Sequence, residues 1–349
     1  MMDNIGIELL GETKYVAGNR NSVHNYFAWP SIARLRDGGI AVSSSGFRIE
    51  HICPFGKACI SFSYDECENF TPPCPVIDTP IDDRDSGVVP FGKSGLIVTS
   101  FNNSIDFQKS ESKDKYVLSY LKRISPELEQ LYIGSEYVIS NDNGKTFSRI
   151  FKSPVTSPHG PLELKDGTVL WVGAAFDNPE GGIFCYKMDC KGNMEFVGSV
   201  PDIRELAFSE PYAFECDDGR IIVHIRSDAD FTTYQSESFD KGKTWTKPHA
   251  LFGINGGAPS HIMRHSSGII VAVYGFREYP YGIKIILSKD NGETWSEPKD
   301  LYVNTVSDDI GYPATVELKD GSLFTIFYAH KDENSPAEIF GRKWKFKDM

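Results

Sequence analysis

No stretch of this chain stays apolar long enough to cross a membrane or to form the core of a signal peptide. Its first residues, Met1-Met2-Asp3-Asn4-Ile5-Gly6-Ile7-Glu8, carry two acids instead; a cytoplasmic location and no membrane partner are expected. There is no run of five like charges and no Lys/Arg cluster able to track a phosphate backbone, and the formal net charge is −12, so nucleic acid is not an expected partner. Cysteine is sparse and odd in number: seven, at Cys53, Cys59, Cys67, Cys74, Cys185, Cys190 and Cys216, with no Cys-x-x-Cys pair. That excludes a disulfide framework and a zinc ribbon and leaves free thiols as the simple reading. No phosphate-binding glycine loop and no His/Cys/Asp cluster with ligand spacing occurs, so no cofactor and no metal is expected.

What is present is enough apolar material for a large core, with 40% hydrophobic and 13% aromatic residues. An acidic chain still binds an anionic ligand where a few arginines converge, because local field rather than net charge sets that affinity. Arginines inside apolar runs are therefore the residues to look for.

The chain is periodic. A glycine turn followed by an apolar run occurs six times, as LRDGGIAV, FGKSGLIV, LKDGTVLWV, CDDGRIIVHI, HSSGIIVAV and LKDGSLFTIF, with reference glycines Gly38, Gly95, Gly167, Gly219, Gly268 and Gly321. Asp-Gly supplies the positive φ that a tight hairpin needs, and the β-branched run after it reads as a buried strand. A second repeat follows in several units: Ser140-Asn-Asp142-Asn-Gly144-Lys-Thr146-Phe147, Ser238-Phe-Asp240-Lys-Gly242-Lys-Thr244-Trp245 and Ser288-Lys-Asp290-Asn-Gly292-Glu-Thr294-Trp295. Degenerate copies run from Ser63 to Phe70 and around Asp189, Gly192 and Phe196. The Asp accepts hydrogen bonds from turn amides, the Gly takes the left-handed conformation and the aromatic ring packs back. This is a structural role. With strands on both sides and no Glu at the twelfth position of a helical loop, it is not a calcium site.

Six strand-turn-strand units of about fifty residues predict an all-β, six-bladed β-propeller spanning 1–349 as one domain, since ring closure removes exposed sheet edges. A last strand near Ile339 to Phe346 is expected to pair with the N-terminus. One interval, from Gly95 to Gly167, is 72 residues long. Its extra segment, about 103–135, is polar from Lys109 to Lys115 and helix-like from Tyr116 to Ile124, with Ser125-Pro126 as a cap before Leu128 to Leu131. It is expected to project from a blade edge as a lid, a homo-oligomer contact or a plain surface excursion.

Residues just before each glycine turn should face the axis from six directions. Nine residues before the reference glycines stand Trp29, Ser86, Pro158, Glu210, Pro259 and Tyr312, with Arg84, Asp85, His159, His261, Asp308 and Asp309 nearby. Acids, arginines and a tyrosine stand there in place of apolar residues. Arg48, Arg226 and Arg277 interrupt apolar runs where second strands end, and a buried guanidinium needs an anionic or carbonyl partner.

The repeated Asp motifs, the segment SEPYAFECDDGRIIVHIR from Ser209 to Arg226 with Glu210, and GYPATVELKDGSLFTIFY with Tyr312 together resemble the sialidase superfamily, whose signature is the Asp-box or BNR repeat. The resemblance runs over essentially the whole chain and implies a carbohydrate substrate. It implies Tyr312 as nucleophile, Glu210 as the carboxylate drawing off its proton, and Arg226 and Arg277 as arginines binding the substrate. A neutral tyrosine does not repel an anionic sugar as a carboxylate nucleophile would. Two departures are visible. Phe27-Ala28-Trp29-Pro30 stands where the family has Phe-Arg-Ile-Pro, so one clamp arginine is missing. The loop after Arg48 offers Glu50 and His51 where the family has an acid/base aspartate, and Asp85 beside Arg84 is the other acid/base candidate. Arg48, Arg84, His261 and Trp29 complete the substrate-binding set, and His159 is a candidate proton carrier. The reading is thus a glycoside hydrolase for an acidic or polar sugar. Two alternatives are an acidic-sugar lyase or isomerase using His159 or Tyr312 as base, and a non-catalytic glycan-binding propeller.

Overall fold

Every repeat glycine marks a hairpin that opens one sheet, and six antiparallel sheets result in the computed structural model. It describes residues 5–176, 181–189, 191–256, 259–303 and 305–347. Blade I is built from strands Tyr26–Arg34, Ile40–Arg48, Lys57–Ser63 and Cys74–Ile77. Blades II and III have interrupted inner strands: Asp83–Arg84 with Val88–Phe91, and Val155–Thr156 with Leu162–Glu163. Blade IV runs Phe208–Glu215, Ile221–Ser227, Thr232–Ser238 and His249–Asn255, and blade V starts at Ser260–Arg264. Blade VI takes Gly311–Glu317, Leu323–His330 and Ala337–Phe346 from the C-terminal part of the chain and Ile7–Ala17 from the N-terminal part, in register from Ile7 opposite Phe346 to Ala17 opposite Ile339. The pairing foreseen for the last strand closes the ring and leaves no blade with a missing edge. One turn differs in detail. In the second repeat the left-handed residue is Gly92, φ 56°, rather than Gly95.

The core lies between blades. Six apolar clusters each join two neighbours: Phe27, Trp29 and Ile32 with Ala314, Ile326 and Tyr328, for example, or Leu170 and Val172 with Val223 and Ile225. Each fully buried large side chain in them stabilises by roughly 1.5–3 kcal/mol. The Ser-x-Asp-x-Gly turns sit at the blade rim and reach into these seams. Asp240 accepts from Thr244 N at 2.8 Å and Thr244 Oγ1 at 2.7 Å, while Gly242 N donates to Ser238 Oγ at 2.8 Å. A Cβ on Gly242 would lie 2.6 Å from Cys185 Sγ of blade III, and one on Gly144 would lie 2.6 Å from Phe62 of blade I. Glycine is therefore needed both for φ and for the approach of the preceding blade. In the degenerate copies Asn69 and Asn193 replace the threonine and still donate to Asp65 and Asp189. Six cysteines are free thiols, and Cys190 lies outside the described residues.

The long interval holds three helices: α1 Ile105–Glu111, α2 Lys115–Leu121 and α3 Pro126–Tyr132, the last capped by Ser125. Helix α1 covers part of the stretch read as merely polar; Ser104 caps it and Ile105 and Gln108 are its buried face. The segment does not stand off a blade edge. Ile105, Val117 and Leu121 pack with Cys53 and Ile81 in a small seventh cluster, so the helices lie on the loops after Arg48 and before Arg84.

Candidate active site

The inner strands of blades I, II, IV and VI each carry one non-glycine residue in the left-handed region: Trp29, φ 52°; Asp85, φ 45°; Glu210, φ 48°; and Tyr312, φ 49°. Three of these are followed by proline, at Pro30, Pro211 and Pro313. Proline offers no N–H to the ladder, and the pairing register shifts there, between Ala28 and Ser31, Ser209 and Tyr212, and Gly311 and Ala314. Such a bulge re-aims the side chain. A left-handed conformation at a bulky residue costs on the order of 1–3 kcal/mol and persists only where the surroundings impose it.

Around these four left-handed residues, side chains from five blades meet at the axis. Tyr312 Oη donates to Glu210 Oε1, and Arg226 Nη1 donates to Glu210 Oε2 at 2.6 Å. Arg226 Nε also lies 2.7 Å from Asp228 Oδ1. Arg277 donates from Nε to Ile310 O and from Nη2 to Tyr328 Oη, both at 3.0 Å, and its guanidinium lies 5.9 Å from the Tyr312 ring centre. Arg84 sits over the Trp29 ring at 3.9 Å and donates to His51 O at 2.9 Å. Burial, reinforced by Glu210 and Asp85 and opposed by Arg226 and Arg277, pushes the Tyr312 phenol well above its ordinary range and keeps it neutral. Burial likewise pushes Asp85 up to about 7, against the pull of Arg84 and with a contribution from Glu210. Asp85 Oδ1 and Arg84 Nε are buried without a hydrogen-bond partner in the protein.

Other expected residues lie elsewhere. Arg48 is wholly buried beneath Trp29, where it binds Asp82, donates to Ser45 Oγ at 2.8 Å and to His51 O at 2.9 Å; it reaches no surface. Interrupting an apolar run marked it as buried but did not distinguish a structural ion pair from a ligand contact. Trp29, 1% exposed, is a platform under Arg84 rather than a surface ring. Glu50 accepts from Ser112 beyond α1 and so faces the helices. His159 and His261 form a deeper layer with Tyr212: the His261 ring stacks on Tyr212 at 4.8 Å, and the His159 ring stands edge-on to both. Burial pulls His261 down to about 3, and burial together with His261 pulls His159 well below the ordinary imidazole value, so neither carries charge near neutrality.

Asp309, which the sequence marks only as a neighbour of the axial positions, is the centre of a hydrogen-bonded hub. Its carboxylate accepts from Tyr26 Oη at 2.6 Å and Tyr328 Oη at 2.9 Å, and bonds His330 Nε2 at 2.9 Å; His51 Nδ1 lies 3.3 Å away. Burial opposes its ionisation, but the hydrogen bonds from His330, His51 and Tyr26 outweigh that and hold it well below the carboxylate range. A signal existed: Tyr328 follows Gly321 by seven residues as Arg226 follows Gly219, and Tyr26 and Asp309 each precede their glycines by twelve.

With the geometry described, likeness to known proteins can be placed. The profile of the BNR repeat-like domain family matches residues 93–325. A structure of unknown function from Dyadobacter fermentans superposes with TM-score 0.81 at 19% identity, covering 98% of this chain and 100% of that one. NanB sialidase of Streptococcus pneumoniae gives 0.71 at 13%, covering 96% and 70%, and the α-L-arabinanase of Penicillium chrysogenum gives 0.62 at 12%, covering 95% and 98%. At these identities the likeness is one of fold. No curated protein matches in sequence.

Proposed function

The chain belongs to the BNR repeat-like domain family and has the propeller fold of the sialidases, and from that premise we propose that it is a glycoside hydrolase acting on an acidic or otherwise polar sugar. The observation that carries the reading is the Tyr312–Glu210–Arg226 chain of contacts, a buried neutral phenol donating to a carboxylate that a guanidinium holds in place. In the first step Tyr312 Oη attacks the anomeric carbon, its proton passes to Glu210, and the glycosidic bond breaks as Asp85 gives its proton to the leaving oxygen. In the second step Asp85 takes a proton from water, which attacks the same carbon, and Tyr312 leaves with the proton held on Glu210. A carboxyl group poised near 7 suits both directions. Arg226 and Arg277, with Arg84 behind, provide the positive side for the substrate, and the missing clamp arginine makes the site less cationic than an all-arginine clamp.

The test is hydrolysis of fluorogenic sialosides and uronides by the purified protein beside Tyr312→Phe. Turnover that disappears in the variant supports the nucleophile assignment, and turnover unchanged by it overturns that assignment. Saturable sugar binding without turnover in the parent protein would make the propeller a glycan-binding module instead.

A further inference from the structure

A cavity of about 590 Å³ is lined by residues outside the axial set. Its walls come from the segment after the first strand, the loop following Arg48, the connection before Arg84, and α2. All four leave the blades at the end where Trp29 and Asp85 are bulged, so the cavity shares the mouth face with the axial site. Its lining is mixed. Half-buried His24, Phe55 and Tyr120 form an aromatic run, His24 edge-on to Phe55 at 5.4 Å and Phe55 tilted on Tyr120 at 4.9 Å. Asn19 and the Lys57–Asp78 ion pair add donors and acceptors of both signs. Ring faces meet the C–H faces of a sugar while the polar groups meet its hydroxyls, and the volume is in the range of small-molecule sites.

One loop joins the two sites. His51 is directed to Asp309 and Arg84, while Phe55, four residues on, lines this cavity. That length of chain spans at most roughly 14 Å. The loop is fixed from below by Arg48 and from outside by Val117 and Leu121, which pack with its Cys53. Building on the proposed hydrolase reading, we propose that this cavity is a subsite for the leaving-group side of the glycan, so that the substrate is an oligosaccharide or longer chain and not a simple sugar conjugate. Among the described residues the helical insertion belongs to blade II alone and, by supplying Tyr120 and bracing the loop, completes the subsite.

The test uses the full chain with Tyr312→Phe, to prevent turnover, on an array of sialic-acid- and uronic-acid-terminated glycans of increasing length. Longer glycans should bind about tenfold more tightly than the matching single sugars. Adding Phe55→Leu, or separately Ser22→Trp to fill the cavity from a segment outside the small core, should remove that increment and leave single-sugar affinity unchanged, with the Ser22→Trp variant at an unaltered melting temperature. No gain with length, a gain that survives both substitutions, or a parallel loss of single-sugar binding would overturn the subsite. Length-dependent binding through the cavity by a parent protein that hydrolyses nothing would sustain the subsite and remove the hydrolase reading.

Discussion

The rim turns and the axial bulges use the same backbone device to opposite ends. At the rim, left-handed Asn143, Lys241 and Asn291, φ 57–59°, precede the turn glycines. The turn aspartates there have their acceptors filled: Asp142 takes Thr146 N at 2.9 Å, Thr146 Oγ1 at 2.7 Å and Ser140 Oγ at 2.7 Å. Those hydrogen bonds, led by the one from Thr146, hold its carboxyl well below the usual range. At the axis, left-handed Asp85 is as strained, φ 45°, yet it has an unpartnered oxygen and a carboxyl pushed up to about 7. Strain alone therefore does not mark function. What sets Asp85 apart is unmet hydrogen bonding and desolvation, because strain can be imposed by a turn while these two lower stability unless a ligand meets them.

The largest effect expected to sharpen this contrast is at Glu210. Glu210→Gln should lower kcat on the active fluorogenic glycoside by about a thousandfold, with the fold retained in circular dichroism. Next, Asp85→Asn should cost about a hundredfold in kcat and should remove the fall in rate expected of the parent as pH rises through about 7. Its stability effect has a definite sign. Because the folded pKa of Asp85 is raised above its unfolded value, its contribution is full below about 4 and is lost as pH rises through about 7, so the Asn variant should gain on the parent in thermal melts at pH 8 relative to pH 5. Asp290→Ala, at the rim, should lower Tm by roughly 2–6 °C through lost turn hydrogen bonds, with kcat unchanged. A large loss of kcat there would break the distinction between the two regions. The smallest effect is at Asn143→Gly, which relieves a left-handed residue and should raise stability by at most about 0.5 kcal/mol in urea denaturation.

Legibility in the sequence followed the range of the physics. Hairpin glycines, rim turns and the closing strand were all visible, because each depends on sterics and hydrogen bonds within a few residues. Glu210, Arg226 and Tyr312 were visible too, as polar residues at equivalent repeat positions. Arg48 was not separable from Arg226 in this way: both interrupt apolar runs, but the partner of one is Asp82 in a closed seam and that of the other is Glu210 at the axis. Asp309 and His51 escaped for a similar reason, since their partners come from blades I and VI at opposite ends of the chain.

The amino-acid sequence by itself determined the repeat, the number of blades and the residue types offered to the axis, because backbone conformation and alternating burial are local properties that recur with each unit. Only the tertiary structure decided which arginines are sealed away, how far burial raises the Asp85 carboxyl, and that the helices brace the His51 loop. Desolvation and convergence are produced by many distant segments acting together, and no single one of them carries that information.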